Sequence, residues 1–194
     1  SLEQIARLHF DVSPKCEDHH LDDKIKAQRL AEFEKARSGT LPAKKGGRWL
    51  EVWLALRLQE MGEFDEVRHE VRLQHEKSRL DDEVQGDVVA TRGYRPFVFE
   101  CSASGDASEV KSKALRAILR ARRLGGDHAR AAMVAGGDVS EADSLIYLMQ
   151  EEGWTGYGDL RFLTRAHVFG RQAACKATID EKGNLAPGPT MSLE

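Results

Sequence analysis

The sequence predicts a mixed α/β (α+β) fold, an αβββαβ core whose mixed central sheet is flanked by helices. Three observations carry this. An apolar-rich helical stretch, Arg48 to Met61, is followed by three strand-like runs joined by short connections. A long basic helix then separates the third run from a short apolar one. Strands joined by short connections must run mostly antiparallel, whereas a crossover helix permits the next strand to pair in parallel.

The elements follow in order. Residues 1–21 read as irregular, with Pro14, several charges and little periodicity. A helix is predicted from Leu21 to about Arg37, with Ile25, Leu30 and Phe33 as its apolar side and Ser38-Gly39 as its end. The loop TLPAKKGG (Thr40 to Gly47) divides an N-terminal extension, 1–45, from a core spanning 46–153. Within the core, the Arg48 helix closes at Gly62, and strands follow at Glu66 to Gln74, Val84 to Thr91 and Pro96 to Ser102. Thr91-Arg92-Gly93-Tyr94 predicts a hairpin between the last two. The basic helix runs from Ser108 to Leu124 and ends at Gly125-Gly126; AAMVA (Ala131 to Ala135) is a buried-type strand. Ser140 and Asp143 form a capping box for a helix running to Glu152. The C-terminal extension, 154–194, is expected to hold an aromatic loop, a hairpin turning at Lys182-Gly183-Asn184 and a disordered Pro/Gly-rich end.

Composition narrows the functional classes. The 194 residues suffice for one domain with a core, and 31% charged residues is ordinary for a globular protein. No run approaches the roughly eighteen apolar residues of a membrane span, so no membrane partner is expected. The start, SLEQIARLHF, has neither a basic leader nor an apolar h-region, so no secretory signal is expected. Three scattered cysteines, Cys16, Cys101 and Cys175, predict a reducing, cytoplasmic setting. The net charge of −3 excludes a whole-protein basic field, so nucleic acid must be met by a local patch.

Three carboxylates stand where carboxylates are costly. Glu100 interrupts a nearly continuous apolar strand, PFVFECS. It must reach solvent, pair with an arginine or bind metal. Asp, a poor strand former, occupies position 87 just before Val88-Val89-Ala90. Pairing through the 92–95 turn brings Asp87 and Glu100 to the same end of the hairpin, where each raises the other's pKa and a divalent cation relieves the repulsion. Glu51 lies on a helical stripe with Leu54, Ala55 and Leu58. Its place in the first turn is also explained by the helix dipole. Oxygen ligands of this kind suit Mg²⁺ or Mn²⁺.

Taken together, G-R-W-L-E (Gly47 to Glu51), G-D-V-V (Gly86 to Val89) and F-E-C-S (Phe99 to Ser102), in this order of elements, resemble the PD-(D/E)xK nuclease superfamily, with its restriction-endonuclease-like core. The G-x-W-L-E opening and the L-G-G at Leu124 to Gly126 look most like the nuclease domain of DUF1887-type CRISPR-ancillary effectors. The resemblance spans roughly residues 46–136. It implies a metal-dependent endonuclease hydrolysing DNA or RNA phosphodiesters, with Glu51, Asp87, Glu100 and the Cys101 carbonyl as metal ligands. Such effectors carry a nucleotide-sensing domain ahead of the nuclease, for which the stretch before residue 46 is too short. The expectation is a standalone protein, a divergent relative or a shortened piece of a longer chain.

Two departures stand out. Ser102 replaces the lysine of E-x-K, and Gln85 stands where relatives carry an acid. Lysine positions the attacking water and offsets phosphate charge. A lysine on the next helix, Lys113 or Lys111, is the candidate substitute, with Lys113 as the catalytic choice. A matching lysine in relatives that keep E-x-K leaves a structural role for Lys113 open. Without such rescue, the domain is an inactive nuclease-fold module that binds nucleic acid or mediates dimerisation, and a homodimer is left open.

The basic helix SEVKSKALRAILRARRL carries a stripe of Lys113, Arg116, Arg120 and Arg123, while Val110, Ala114, Ala117 and Ala121 line the face toward the sheet. The stripe is either a solvated surface or, beside an acidic metal site, a phosphate contact; Lys111, Arg116, Arg120 and Arg123 are the nucleic-acid candidates. Cys16 with His19-His20 has no second ligand pair at finger spacing. Asp22-Asp23 beside those histidines reads better as a helix start. Trp154, Tyr157 and Phe162 could stack on bases, but core or lid packing explains them better.

Overall fold

A computed structural model of the chain describes residues 2, 4–5, 15–17, 22–41, 47–74, 84–137 and 160–169. Six strands among them form one sheet in sequence order: β1 (Lys15–Glu17), β2 (Glu66–Gln74), β3 (Val84–Arg92), β4 (Arg95–Ser102), β5 (Arg130–Ala135) and β6 (Leu160–Leu163). The first four are antiparallel to their neighbours; β4–β5 and β5–β6 are parallel. This is the expected mixed sheet. The change of direction falls where helix α3 (Ala107–Gly125) carries the chain across the sheet.

Both faces are covered. On one lies α3, whose small residues Ala114, Ala117 and Ala121 are buried with Val110, Ile118 and Leu124 against Val89, Val98 and Met133. On the other lie α1 (Asp23–Arg37), α2 (Arg48–Met61) and the short α4 (Arg165–Phe169). Their core centres on Phe33, Trp49, Leu50, Leu54 and Phe169 over Val88, Ala90, Phe99 and Cys101. The alternation of faces along β3 and β4 therefore sorts their side chains between two cores.

Local chemistry sets the boundaries. Asp22 caps α1 by accepting from the Ile25 N–H at 2.7 Å. Gly62 ends α2 in the left-handed region, φ 68°. Gly93, φ 60°, turns the β3–β4 hairpin, and its N–H is held by Asp65 Oδ2 at 2.6 Å.

Two expectations fail. Ile25 and Leu30 are exposed, because α1 packs through Phe33 and Ala36 near its C-terminal end. The segment read as irregular contains the edge strand β1, and Leu2 and Ile5 are buried in the α3-side core. The region beyond residue 153 contributes β6 and α4. The Ser140 helix, the 182–184 turn, Cys175, His19, His20, Trp154 and Tyr157 lie outside the described residues.

Candidate functional site

The site begins with a fault in the sheet. β3 and β4 are bridged from Arg92↔Arg95 to Val88↔Phe99, and no farther. The next pair in that register, Asp87 and Glu100, is unbridged. On the other side β3 pairs with β2 at His69↔Val88 and at Val71↔Gly86, skipping Glu70 and Asp87. Glu70 there has φ 49°, a left-handed backbone that costs a non-glycine residue on the order of 1 kcal/mol. Asp87 thus lacks a ladder partner on both sides. Its Oδ2 accepts from the Cys101 N–H at 2.8 Å, so the carboxylate takes the place of a strand and holds the gap open.

Glu51 enters from α2. The N-cap, Gly47, lies so close to β4's following loop that an added Cβ would sit 3.3 Å from the Ala103 backbone nitrogen. The absence of a side chain lets the first turn of α2, with Glu51, sit against the sheet. Glu51 is largely buried, and its Oε2 is 3.3 Å from His69 Nε2 on β2. Neither ring nitrogen of His69 has a hydrogen-bond partner, although the side chain is 7% exposed. Such an orphaned buried group costs about 1–3 kcal/mol.

Glu100 faces α3. Arg120 donates to its carboxylate. Two turns' length toward the helix start, the Lys113 amine donates to the Cys101 carbonyl at 2.6 Å. Ser102 is engaged elsewhere: its hydroxyl donates to Glu109 Oε1 at 2.9 Å and accepts from the Ser104 N–H. The position of the absent lysine is thereby tied to the first turn of α3.

The electrostatics describe one connected acidic cluster. Burial raises the Asp87 carboxyl, and the charge of Glu51 adds to it; the Cys101 N–H, Lys113 and Arg120 oppose. Burial and then Asp87 push Glu100 up to about 7, against Arg120 and Arg116. The buried Cys101 thiol is pushed well above its ordinary value by burial, then by Asp87, Glu51 and Glu100. All three carboxylates therefore act on one point of β4.

The donor set is mainly hard oxygen, so the residues fit a divalent ion in kind. Among the described residues no three His, Cys, Asp or Glu side chains are already gathered to hold one. Asp87 is turned to the Cys101 N–H, Glu100 to Arg120, and the Cys101 carbonyl to Lys113. Binding an ion requires these groups to leave their present partners.

Of the remaining candidates, Arg116 and Arg123 are exposed on α3 and Lys111 is half-buried. Arg116 acts on Glu100; Lys113, rather than Lys111, bonds the Cys101 carbonyl of β4. Phe162 packs against the α3-side core. His69 was missed by sequence reasoning. Its signal was present: it shares period-two spacing with Val67 and Val71, a polar ring on an apolar alternation.

No family model matches this chain, and no curated protein matches it by sequence. Solved structures do resemble it in fold. Can2 from Sulfobacillus thermosulfidooxidans, in complex with cyclic tetra-adenylate, superposes with a TM-score of 0.54 at 8% identity. That alignment covers 91% of this chain and 61% of Can2. VC1899 from Vibrio cholerae aligns at 16% identity and TM-score 0.48, over 87% of this chain and 47% of its own. The chain thus spans about half to three-fifths of these proteins. No helix among the described residues is long and apolar enough to cross a membrane.

Proposed function

We propose that this chain is a metal-dependent nuclease of the PD-(D/E)xK kind, related to the DUF1887-type CRISPR-ancillary effectors, that hydrolyses DNA or RNA phosphodiesters. The observation that carries this is the Lys113 amine on the Cys101 carbonyl, adjoining the coupled carboxylates Asp87 and Glu100. A lysine from α3 stands next to the strand position that Ser102 leaves without one.

In this reading Glu51, Asp87 and Glu100, with the Cys101 carbonyl, hold Mg²⁺ or Mn²⁺. A bound ion supplies Lewis acidity toward the phosphate and acidifies a water. Lys113 orients that water and offsets charge on the phosphate, the part played by the lysine of E-x-K. Arg120 and Arg116 hold phosphate oxygens, for which guanidinium is suited; Lys111 and Arg123 extend the same basic surface along the nucleic acid. Arg120 serves Glu100 until a phosphate competes for it.

A second reading is a nuclease-fold module that binds nucleic acid without turnover. The hydrogen bond of Ser102 to Glu109 and the pairing of Glu100 with Arg120 favour it. Incubation of wild type and Asp87→Ala with single- and double-stranded DNA and RNA in Mn²⁺ separates the two. The nuclease reading expects cleavage by wild type and a loss of about 100-fold or more in the variant. Equal cleavage by both sinks the site assignment. Salt-sensitive binding with no cleavage by wild type favours the module.

A further inference from the structure

Among the described residues Trp49 Nε1, Thr91 Oγ1 and both ring nitrogens of His69 are buried without a hydrogen-bond partner, and of these His69 adjoins the acidic cluster. It sits on β2 directly opposite Val88. It adjoins the step where Glu70 and Asp87 leave the ladder. Its side chain is 93% shielded, a depth at which an imidazole ordinarily holds a hydrogen bond, yet Nδ1 and Nε2 both lack one. Nε2 lies 3.3 Å from Glu51 Oε2, an ion-pair contact if the ring is protonated, without a hydrogen bond between them. The backbone around it is strained rather than slack: Glu70 is left-handed and is held there by Arg48 at 3.0 Å. A fold that retains a strained strand and an orphaned imidazole beside an acidic cluster has left a donor for something that is not protein.

The neighbours of Nε2 define what that is. Glu51 is at 3.3 Å, and Glu51 is within electrostatic reach of Asp87. Among the described residues, no lysine or arginine is shown paired with Glu51. One nitrogen and two carboxylates supply mixed donors for a cation, which the described side chains would have to close upon, since no three of them are already gathered. Imidazole suits Zn, Cu, Fe and Ni best; Mn²⁺ shares with Mg²⁺ a preference for oxygen but, as a first-row transition ion, accepts a nitrogen ligand more readily than Mg²⁺, which retains its waters.

We propose that His69 is a nitrogen ligand of the cation site, entering with Glu51 and Asp87, and that it makes this site select Mn²⁺ over Mg²⁺. The proposal rests on the carboxylate site of the preceding subsection and adds to it a fourth residue and a choice of ion.

The test is direct binding, without turnover. Mn²⁺ and Mg²⁺ are titrated calorimetrically into wild type, His69→Gln and Asp87→Asn. Pulsed electron paramagnetic resonance of the Mn²⁺-loaded proteins then reads imidazole-nitrogen coupling, and a thermal melt checks that each variant folds. Wild type is expected to bind Mn²⁺ at least about tenfold more tightly than Mg²⁺ and to show the nitrogen coupling. His69→Gln is expected to lose the coupling and at least about tenfold in Mn²⁺ affinity, with Mg²⁺ affinity little changed. Mn²⁺ binding by wild type without nitrogen coupling overturns the proposal whether or not the variant folds, and leaves the carboxylate site standing. Coupling that persists in His69→Gln overturns it equally. Loss of Mn²⁺ binding in Asp87→Asn, with His69→Gln unaffected, rejects His69 alone; failure of wild type to bind either ion rejects both readings.

Discussion

The two sides of the acidic cluster differ in how far the protein satisfies them. Toward α3 each polar group has a partner: Glu100 has Arg120, the Cys101 carbonyl has Lys113, and Ser102 has Glu109. Toward α2 and β2 the groups are close and only partly satisfied, with Asp87 held, among the described residues, by the Cys101 N–H alone. Glu51 and His69 are neighbours without a hydrogen bond, and Asp87 has no strand partner on either side. The same sheet builds both. The α3 side is supplied by a basic helix laid along it. The α2 side is met by a helix whose first turn carries an acid and whose remaining inner face is apolar. The satisfied half reads as structure and as a reserve of cations for phosphate. The partly satisfied half reads as the place where a ligand is needed.

That contrast can be broken or sharpened by substitution. The largest effect after loss of Asp87 is expected at Lys113. Lys113→Met should reduce Mn²⁺-dependent cleavage by about 100-fold, as commonly follows removal of one charge-stabilising group. Lys111→Met should change it by less than about threefold, measured as single-turnover rates. Equal loss in both variants would assign the effect to the general field of α3 instead of the Cys101 contact.

Proton linkage comes next. Glu100 is raised to about 7 and Asp87 is raised, so the folded protein retains protons that the unfolded chain has released. Stability then falls as pH rises from the ordinary carboxylate range through about 7. Glu66, whose carboxyl is lowered, with its hydrogen bond from Leu2 first among the lowering causes, contributes the opposite slope below its ordinary value. In chelator, the melting temperature should be lower at pH 7.5 than at pH 5.5, and Glu100→Gln should flatten that slope. A slope unchanged in the variant removes Glu100 as its source.

A smaller effect separates structure from chemistry on the α3 side. Ser102→Ala removes the hydroxyl that joins β4 to Glu109 and should cost about 1 kcal/mol in denaturant unfolding. It should leave the rate per folded molecule nearly unchanged, because that hydroxyl is occupied away from the cluster. Smallest is Arg116→Gln, an exposed change. It should weaken nucleic-acid binding modestly and lower the salt slope by about 1, with no effect on stability.

Much of this arrangement was legible in the chain, for reasons that also mark where legibility ends. The Arg48–Met61 helix and the Glu66–Gln74 strand appear with the predicted bounds, because a dense apolar run closed by glycine and a period-two run are local signals. The parallel β4–β5 pairing followed from the crossover helix. Glu51, Asp87 and Glu100 announced themselves as acids among apolar neighbours. What stayed hidden is non-local. Nothing near Leu2 and Ile5 says that they will be buried under α3. Ile25 and Leu30 look like a core stripe, and are exposed because only one end of α1 meets α2 and α4. The left-handed turn at Glu70 is not a preference of glutamate; it arises where two strands part around Asp87. His69 could be suspected from its alternation with Val67 and Val71, but its lack of a partner is a property of the folded sheet.

The central claim is that Glu51, Asp87 and Glu100 belong to one cation site. It is tested most directly by titrating Mn²⁺ into metal-free wild type and Asp87→Asn, a variant that keeps an acceptor for the Cys101 N–H. The account predicts saturable binding by wild type and at least about a tenfold loss of affinity in the variant, with both proteins equally folded by circular dichroism. Identical isotherms for the two would contradict it.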